Sequence, residues 1–547
     1  MMESTRSSIA FQRSPRILGL LLVLFVPFVQ ALLYGTRVFN WLPVWSWYAD
    51  PGYPYLLNGA VIINGGIPGH TDHPGTSLQW LIGIIEQITF WVHGSSSTIF
   101  IDIVRDPEGY AQIISWVLLS LYIAALLGLG YRMWRVFGTS VALLTQFLLL
   151  WTVALLGNGV FKLVPETLVL LAFLALLILL MPNFKNPRHE LNAWLIVAVG
   201  VSCAVGVTSK IIFLPALILP ILVLRFRDTA LAVIAFMVTL VLIMLPTFSR
   251  INQMWNWYLG VLLNPGRHGG TTTSSTLDSL TNALQGISGV IRWWLPVFFL
   301  VAGSSLLLFI VSSFRKRIGR ESISVAALLT ASALVIAMGY KQAEPRDFLL
   351  LGPLIAVLLG VLLSLYRRTM SESLGVGVTL TTLLLGAFLA AHGIVGSIYS
   401  YPLSVNRSME RVESAKIMNQ IATDRFIASA YDSWTQASAL AFAEDWTNGN
   451  FARPLTNRYP EIYEYSIWDQ RIYGWNAGRG RELVTCSEVI ELITSKGLDI
   501  VVPGIGTVTV NESLTSIESP DGTIFVSEEQ KIGPNTRFKA IGMRCSK

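Results

Sequence analysis

The chain has 547 residues, of which 53% are apolar and only 13% charged, at a mean hydropathy of +0.58. Soluble domains carry about 25% charged residues, so this one has too few to cover a water-soluble globule of its size, and its 11% aromatic content excludes a disordered chain. Its three cysteines exclude a disulfide-built scaffold and a cysteine zinc cluster, which leaves a polytopic α-helical membrane protein.

Apolar windows of the length that spans a bilayer, about 20 residues, begin at 17–34. They recur at 110–130, 140–157, 165–182, 191–208, 210–224, 229–248, 291–313, 322–340, 347–366 and 373–398. The pattern predicts about eleven crossings. The net charge of +6 gives no argument for a nucleic-acid partner, because the basic residues alternate with the windows. Arg6, Arg13 and Arg16 precede the first window; Arg132 with Arg135, Lys185 with Arg188, and Arg225 with Arg227 follow later ones. Arg315, Lys316, Arg317 and Arg320, then Arg367 and Arg368, complete a series that falls on one side if every window spans. The positive-inside rule makes that side the cytoplasm. A cytoplasmic N-terminus and an outer C-terminus are expected, with 17–34 acting as a signal anchor rather than a cleaved leader.

In chain order, 35–109 is a long first outer loop within a membrane domain of residues 1–399. Its stretches 54–64 and 76–93 are predicted as helices lying along the membrane surface, with Trp41, Trp45, Trp47, Trp80 and Trp91 as interfacial anchors. A second outer loop, 249–289, holds a Gly/Thr/Ser tract, Gly269 to Thr276. Residues 400–547 regain soluble composition and read as an extracytoplasmic α/β domain. Helices are expected at 408–422, 434–446 and 487–496, and strands at 426–430, 499–503 and 523–527. Cys486 and Cys545 fall in that domain, where a disulfide is compatible with the oxidising side; Cys203 lies within a membrane helix. The sequons at Asn406 and Asn511 also fall on the outer side.

Several polar residues stand where polarity is costly. Asp50 precedes Pro51 and reads either as a helix cap or as a carboxylate at the lipid boundary, beside Tyr53 and Tyr55, able to deprotonate an acceptor hydroxyl. His70, Asp72 and His73 crowd into four positions; this is no zinc-enzyme spacing, so capping or a share in a polar site wall is preferred to a metal. Glu166, after Pro165, suits the positive end of a helix dipole, with Lys162 just before it on the same outer loop. Lys210 lies between two apolar runs with almost no loop, and an ionisable group at such depth is a functional candidate. Arg346 follows Pro345 at the start of an apolar run, beside Tyr340 and Lys341. A cation there opposes the dipole, so Glu344, Asp347 or a lipid phosphate must compensate it.

An early outer-loop Asp, the motif His73-Pro74-Gly75, an acid at the next outer turn, a late outer Arg heading an apolar helix and an appended soluble domain occur together. In this the chain resembles the integral-membrane glycosyltransferases of the C-type fold. That group includes the protein O-mannosyltransferases and the transferases that add aminoarabinose to lipid A. The resemblance implies Asp50 as catalytic base and Arg346, Lys210 and Lys162 as ligands of a polyprenyl-phosphate sugar. It implies His70, Asp72, His73, Glu166, Tyr53 and Tyr340 as the wall of the site. No cofactor is implied. The absence of an Asp-x-Asp pair after the first window departs from the metal-dependent oligosaccharyltransferase branch, and His-Pro-Gly replaces the Lys-Pro-Pro of the aminoarabinose branch. The expected reaction is a single inverting displacement onto a glycan, lipid or protein hydroxyl at the outer face of a bacterial plasma membrane, in glycosylation of the cell envelope.

A transporter or flippase of a lipid-linked or anionic substrate is the rival reading. It accounts for Lys210 but requires ionisable groups near the middle of several helices. A non-catalytic assembly protein is a third, and it leaves Asp50 and Arg346 unexplained.

Overall fold

The structure is a computed structural model that describes residues 4–40, 42–46, 52–71, 75–155, 161–263, 321–339 and 345–369. In the C-terminal part it describes 409, 412, 426–429, 436–459, 463–466, 471–476, 480–496, 499–502, 516–519, 522–532 and 535–545. Helices α1 (Ser4–Phe39), α2 (Tyr53–Ile63), α3 (Thr76–His93), α4 (Ile99–Arg105), α5 (Pro107–Phe137) and α6 (Thr139–Leu155) come first. Next come α7 (Pro165–Lys185), α8 (Ala193–Ser209), α9 (Ile218–Val223), α10 (Phe226–Met244), α11 (Ile251–Leu263), α12 (Glu321–Gly339) and α13 (Leu351–Thr369). The C-terminal part carries β1 (Phe426–Ser429), α14 (Gln436–Glu444), α15 (Ala452–Arg458), β2 (Tyr463–Ser466), β3 (Arg471–Asn476), β4 (Gly480–Leu483), α16 (Cys486–Glu491), β5 (Asp499–Val502), β6 (Ser516–Ser519), β7 (Gly522–Ile532) and β8 (Asn535–Cys545). The chain folds into two compact units: Met1–Phe39 with Asp72–Ser77 and Ser115–Ser400, and Asn40–Thr71 with Leu78–Ile114 and Tyr401–Lys547.

The first unit is a helical membrane assembly. Among the described residues, five segments are long and apolar enough to cross a bilayer: Gly19–Phe39, Pro107–Phe137, Pro165–Lys185, Phe226–Asn256 and Arg346–Leu365. α7 is apolar on every side and buried along almost its whole length, as a central helix must be. α1 and α10 instead turn Leu21, Phe25, Phe28 and Leu32, and Ile234, Val238 and Leu242, outward. An apolar face of that extent is stable against lipid and not against water. The predicted crossing at 210–224 is corrected: Pro215 and Pro220 break it into a 3-10 stretch, Ile211–Leu217, followed by the short α9. Proline removes a donor and clashes one turn back, so the apolar run does not continue as one helix. Windows 291–313 and 373–398, the tract 269–276, the sequons and nearly all of 408–422 lie outside the described residues.

The basic connectors gather at one end of this unit. Lys185 donates to Val136 O at 3.0 Å at the foot of α5, the Arg188 amide donates to Val223 O at 2.8 Å, and Arg225 donates to Arg188 O at 2.8 Å and to Glu190 at 2.9 Å.

The second unit combines the first outer loop with the C-terminal residues. Its sheet runs β4-β3-β2-β1-β5-β8-β7-β6. β1 is parallel to β2 and to β5, and the flanking strands are antiparallel. The crossovers from β1 to β2 and from β4 to β5 carry α14 with α15 and α16, as parallel pairing demands. A disulfide joins Cys486 at the start of α16 to Cys545 at the end of β8, and Cys203 is free and buried in α8. Both stretches predicted as surface helices are helical, as α2 and α3, but α2 is corrected to an interior helix, buried from Tyr53 to Ile62. α3 is inverted for a water-facing helix: Ile84, Ile88, Trp91 and Val92 are exposed while Gln79 and Glu86 are buried. That face suits the plane of a bilayer.

Candidate functional site

The helix ends opposite the basic connectors carry a buried cluster of charges. α7 starts with Pro165 in its first turn, where the missing amide proton costs nothing, and Glu166 follows in the same turn. Lys210 ends α8 in an extended conformation, φ −161° and ψ 146°. Gly206, one turn earlier, makes this geometry available, because a Cβ there would overlap the ring of Phe213, which folds back against the helix. Lys210 Nζ donates to Glu166 Oε1 at 2.6 Å, and Arg346 Nε approaches the same oxygen at 3.6 Å. The side chains of Glu166 and Lys210 are 5% and 13% exposed, and that of Arg346 is 48% exposed. A deeply placed carboxylate thus holds one buried lysine and one arginine that reaches the surface.

Arg346 has a carboxylate partner in Glu166, from a helix far earlier in the chain, which the sequence reading did not include; Glu344, one of the expected partners, lies outside the described residues. Arg346 also lies in a 3-10 turn, Pro345–Phe348, ahead of α13 rather than in its first α-helical turn. Capping by the dipole alone does not account for Glu166, which is shared between two cations.

Lys162 stands on the loop before α7, where the Thr167 hydroxyl donates to Lys162 O at 3.1 Å and closes the turn. It is buried, and burial followed by the charge of Arg37 holds its ammonium well below the ordinary lysine range, with Glu166 acting in the opposite sense. Next to Lys210, Ser209 accepts from the Gly75 amide at 3.0 Å, and the Ser77 and Ser209 hydroxyls are 2.7 Å apart. These bonds tie the residues just after His73-Pro74 to the end of α8.

In the second unit, His70 is buried with its ring edge-on to Tyr55 at 4.9 Å and Trp446 at 5.1 Å. Asn58 Oδ1 accepts from the Gly69 amide at 2.9 Å, and Gln79 donates to His70 O at 3.0 Å. Burial lowers the His70 pKa to about 4, so the imidazole is neutral at physiological pH. Tyr53 is fully buried and donates its hydroxyl to Glu108, which also accepts from the Val44 amide at 2.9 Å. α2 begins at Tyr53 with Gly52 at its cap and Pro54 in its first turn, two residues later than an Asp50 cap with Pro51 requires. Asp50, Asp72, His73 and Tyr340 lie outside the described residues. Among the described residues no group of three His, Cys, Asp or Glu could hold a metal ion.

Of the sequence candidates, then, Glu166, Lys210 and Arg346 meet directly, and Lys162 lies within their electrostatic reach. His70 and Tyr53 belong to the other unit. Arg37, not singled out by the sequence, joins the first group through its effect on Lys162; its only sequence signal is its place in the last turn of the first apolar helix.

Neither a protein-family model nor a curated protein matches the sequence. Among solved structures, the chain is similar to ArnT from Cupriavidus metallidurans in the apo state, at 12% identity over 96% of this chain and 98% of that one, with a TM-score of 0.47. It is also similar to the same protein bound to undecaprenyl phosphate, at 13% identity over 81% of this chain and 78% of that one, with a TM-score of 0.42.

Proposed function

We propose that the chain is a membrane glycosyltransferase that moves a sugar from a polyprenyl-phosphate donor to an acceptor hydroxyl at the outer face of the membrane. The observation that carries this reading is the Lys210–Glu166–Arg346 cluster. Two cations fixed by a carboxylate, one buried and one reaching the surface, suit a lipid phosphate whose tail lies in the bilayer and whose head lies at its boundary. Negative charge grows on that phosphate as the sugar departs, and fixed cations in a low-dielectric site stabilise such charge most strongly. Lys162 adds a third cation to the donor side. Asp50 is the base that takes the acceptor proton, and the displacement at the anomeric carbon inverts its configuration. Asp72, His73 and Tyr340 line the site. The protein is a multi-pass protein of a bacterial inner membrane, with the N-terminus cytoplasmic and the C-terminal α/β domain outside.

The transporter reading is less well supported. Glu166, Lys210, Arg346, Lys162 and Arg37 all sit at helix ends or in connecting turns. Among the described residues of the first unit, the polar residues buried in mid-helix, such as Gln30, Gln146 and Ser332, are uncharged. Ion-coupled transport needs ionisable groups at the midplane.

The test uses purified protein in lipid with labelled polyprenyl-phosphate sugars and acceptor-containing membranes, following free polyprenyl phosphate for wild type and Asp50→Asn. Asparagine keeps the size and hydrogen bonding of the side chain but cannot accept the proton. Release by wild type, reduced at least about 100-fold in the variant, is the expected result. Equal release by both removes Asp50 from the chemistry, and no release by either removes the transferase.

A further inference from the structure

The loop between α7 and α8 and the start of α10 are built together at the basic end of the first unit. The Arg188 amide donates to Val223 O at 2.8 Å, and the buried Asn183 donates to His189 O at 3.0 Å. Arg225 closes the arrangement with its bonds to Arg188 O and Glu190. Arg188 is left-handed, φ 62°, a conformation that glycine holds at lower cost, so the backbone gives no reason for an arginine there. α8 and α10 leave this end side by side. Gly200 of α8 meets the backbone of α10 at Ala232 and Phe236, where an added Cβ would overlap Ala232 O. Trp194 lies six residues before Gly200, and Phe226 six before Ala232, about 9 Å along a helix in each case. The two aromatic residues therefore stand at one level. They are 81% and 91% exposed, and Phe226 opens the apolar segment Phe226–Asn256. A tryptophan at the end of an apolar segment sits at the boundary between acyl chains and headgroups. Arg188 and Arg227, both exposed, accordingly lie at headgroup depth. Among the described residues neither has a carboxylate partner: Glu190 pairs with Arg225, and Asp228 is buried. Beyond Phe226, α10 exposes Val233, Ile234, Val238 and Leu242, an apolar strip along which acyl chains can lie.

We propose that this face is a docking site for one anionic phospholipid, with its headgroup phosphate against Arg188 and Arg227 and its acyl chains along α10. A guanidinium engages a phosphate through two parallel hydrogen bonds. A zwitterionic head brings an ammonium to the same arginines and forfeits part of the attraction, so a net negative head is selected. Arg225, already held by Glu190 and Arg188 O, fixes the loop rather than the lipid. Trp194 and Phe226 flank the chains just beneath the headgroup. The site lies at the opposite end of α8 from Lys210, and the inference does not rest on the donor reading. On the orientation proposed above, the lipid belongs to the cytoplasmic leaflet, where anionic lipids give the surface its negative potential.

The experiment follows lipid retention by the full-length protein in native mass spectrometry, with phosphatidylglycerol and phosphatidylcholine of the same chains in competition. Wild type is expected to hold one phosphatidylglycerol about tenfold more tightly than phosphatidylcholine. Arg188→Gln combined with Arg227→Gln should bring the two lipids within about twofold. Arg132→Gln combined with Arg135→Gln removes the same charge from the foot of α5 and should leave the preference intact. Equal loss of preference in both double variants means diffuse attraction to a basic surface and overturns the proposal, as does a wild type without preference. Inorganic phosphate, added as competitor, should not displace the lipid; displacement marks a site for the free anion and overturns lipid docking. Wild type alone gives a second readout, independent of whether the variants fold. Amide exchange in residues 186–194 should slow when phosphatidylglycerol is added to phosphatidylcholine nanodiscs, and unchanged exchange overturns the proposal.

Discussion

Lys210→Met and Glu166→Gln, made singly and together, separate packing from chemistry at the charge cluster. Lys210 and Glu166 are paired at 2.6 Å with side chains 13% and 5% exposed. Removing one partner of a buried pair costs about 3–5 kcal/mol, because the other charge is left without compensation. After Lys210→Met, Arg346 still approaches Glu166 at 3.6 Å from a half-exposed position, so the cost falls toward the lower end, about 2–3 kcal/mol. Glu166→Gln leaves Lys210 near the surface end of the helix, where partial hydration relieves it, at about 1–2 kcal/mol. The double variant buries no unpaired charge and should recover most of the loss, which gives a coupling energy of about 2 kcal/mol in a double-mutant cycle. Binding of polyprenyl phosphate should behave differently. A charge-assisted hydrogen bond to phosphate contributes about 1.5–3 kcal/mol, so both Lys210→Met proteins should bind about 10- to 100-fold more weakly. Unfolding in detergent gives the stability cycle, and lipid binding in nanodiscs gives the second. Recovery of both stability and binding in the double variant would refute the reasoning, since the pair would then be a packing device. Stability indifferent to Lys210→Met would refute the geometry.

Three further outcomes follow from the same structure. Glu444 in α14 is buried, with its pKa raised from 4.5 to about 7 chiefly by burial, against hydrogen bonds from Thr447 and the Phe451 amide. Its folded pKa is the higher one, so stability present below about pH 4.5 is lost as pH rises through about 7, by up to about 3 kcal/mol. Glu444→Gln should flatten that stretch of the unfolding profile. Reducing the Cys486–Cys545 bond, which spans 59 residues, should destabilise the sheet by at most about 4 kcal/mol, seen as faster amide exchange in β8 and α16 under reductant. Gly206→Val should displace Phe213 and with it Lys210, lowering polyprenyl-phosphate binding about tenfold or more.

Where the pattern in the sequence is local, it predicts the structure closely. The apolar stretches 54–64 and 76–93 are α2 and α3, and three strands and two helices of the C-terminal part lie within or beside their expected positions. β2, β3, β4, β6 and β8 were not anticipated. Several are four-residue segments with polar residues on both faces, such as Gly480–Leu483, and their pairing is set by neighbours distant in the chain. The run 210–224 has the hydropathy of a crossing, yet its two prolines decide the geometry. Charge at the site was legible residue by residue but not as pairs. Glu166, Lys210 and Arg346 each stand out as polar groups next to apolar runs, while their meeting at one oxygen depends on how α7, α8 and α13 pack. Arg37 reads as an ordinary helix-terminal cation because the aromatic pair that buries it, Tyr34 and Phe161, comes from separate parts of the chain. Glu86 reads as the polar side of a surface helix and is instead buried, with neither carboxylate oxygen hydrogen-bonded. That inversion follows once the apolar side of α3 faces lipid rather than the protein.

On the proposed donor-phosphate reading, the position of Glu166 gives a reason for a carboxylate beside a bound anion. A lysine and an arginine brought together in a low-dielectric site without compensation would repel each other and shift away or lose a proton. Glu166 holds both in one geometry while the site is empty, so folding rather than substrate binding supplies the energy that collects them. An arriving phosphate then competes with the carboxylate for Lys210 and Arg346. The competition weakens ground-state binding of a donor phosphate that carries a single negative charge. It matters less once the sugar leaves and the phosphate gains a second charge. The interaction is therefore stronger in the transition state than in the ground state, which is the condition for acceleration. On this argument Glu166→Gln should tighten binding of the intact donor and of the released lipid phosphate, and so slow release of product. A faster turnover in that variant would show that the carboxylate restrains the cations instead of preparing them.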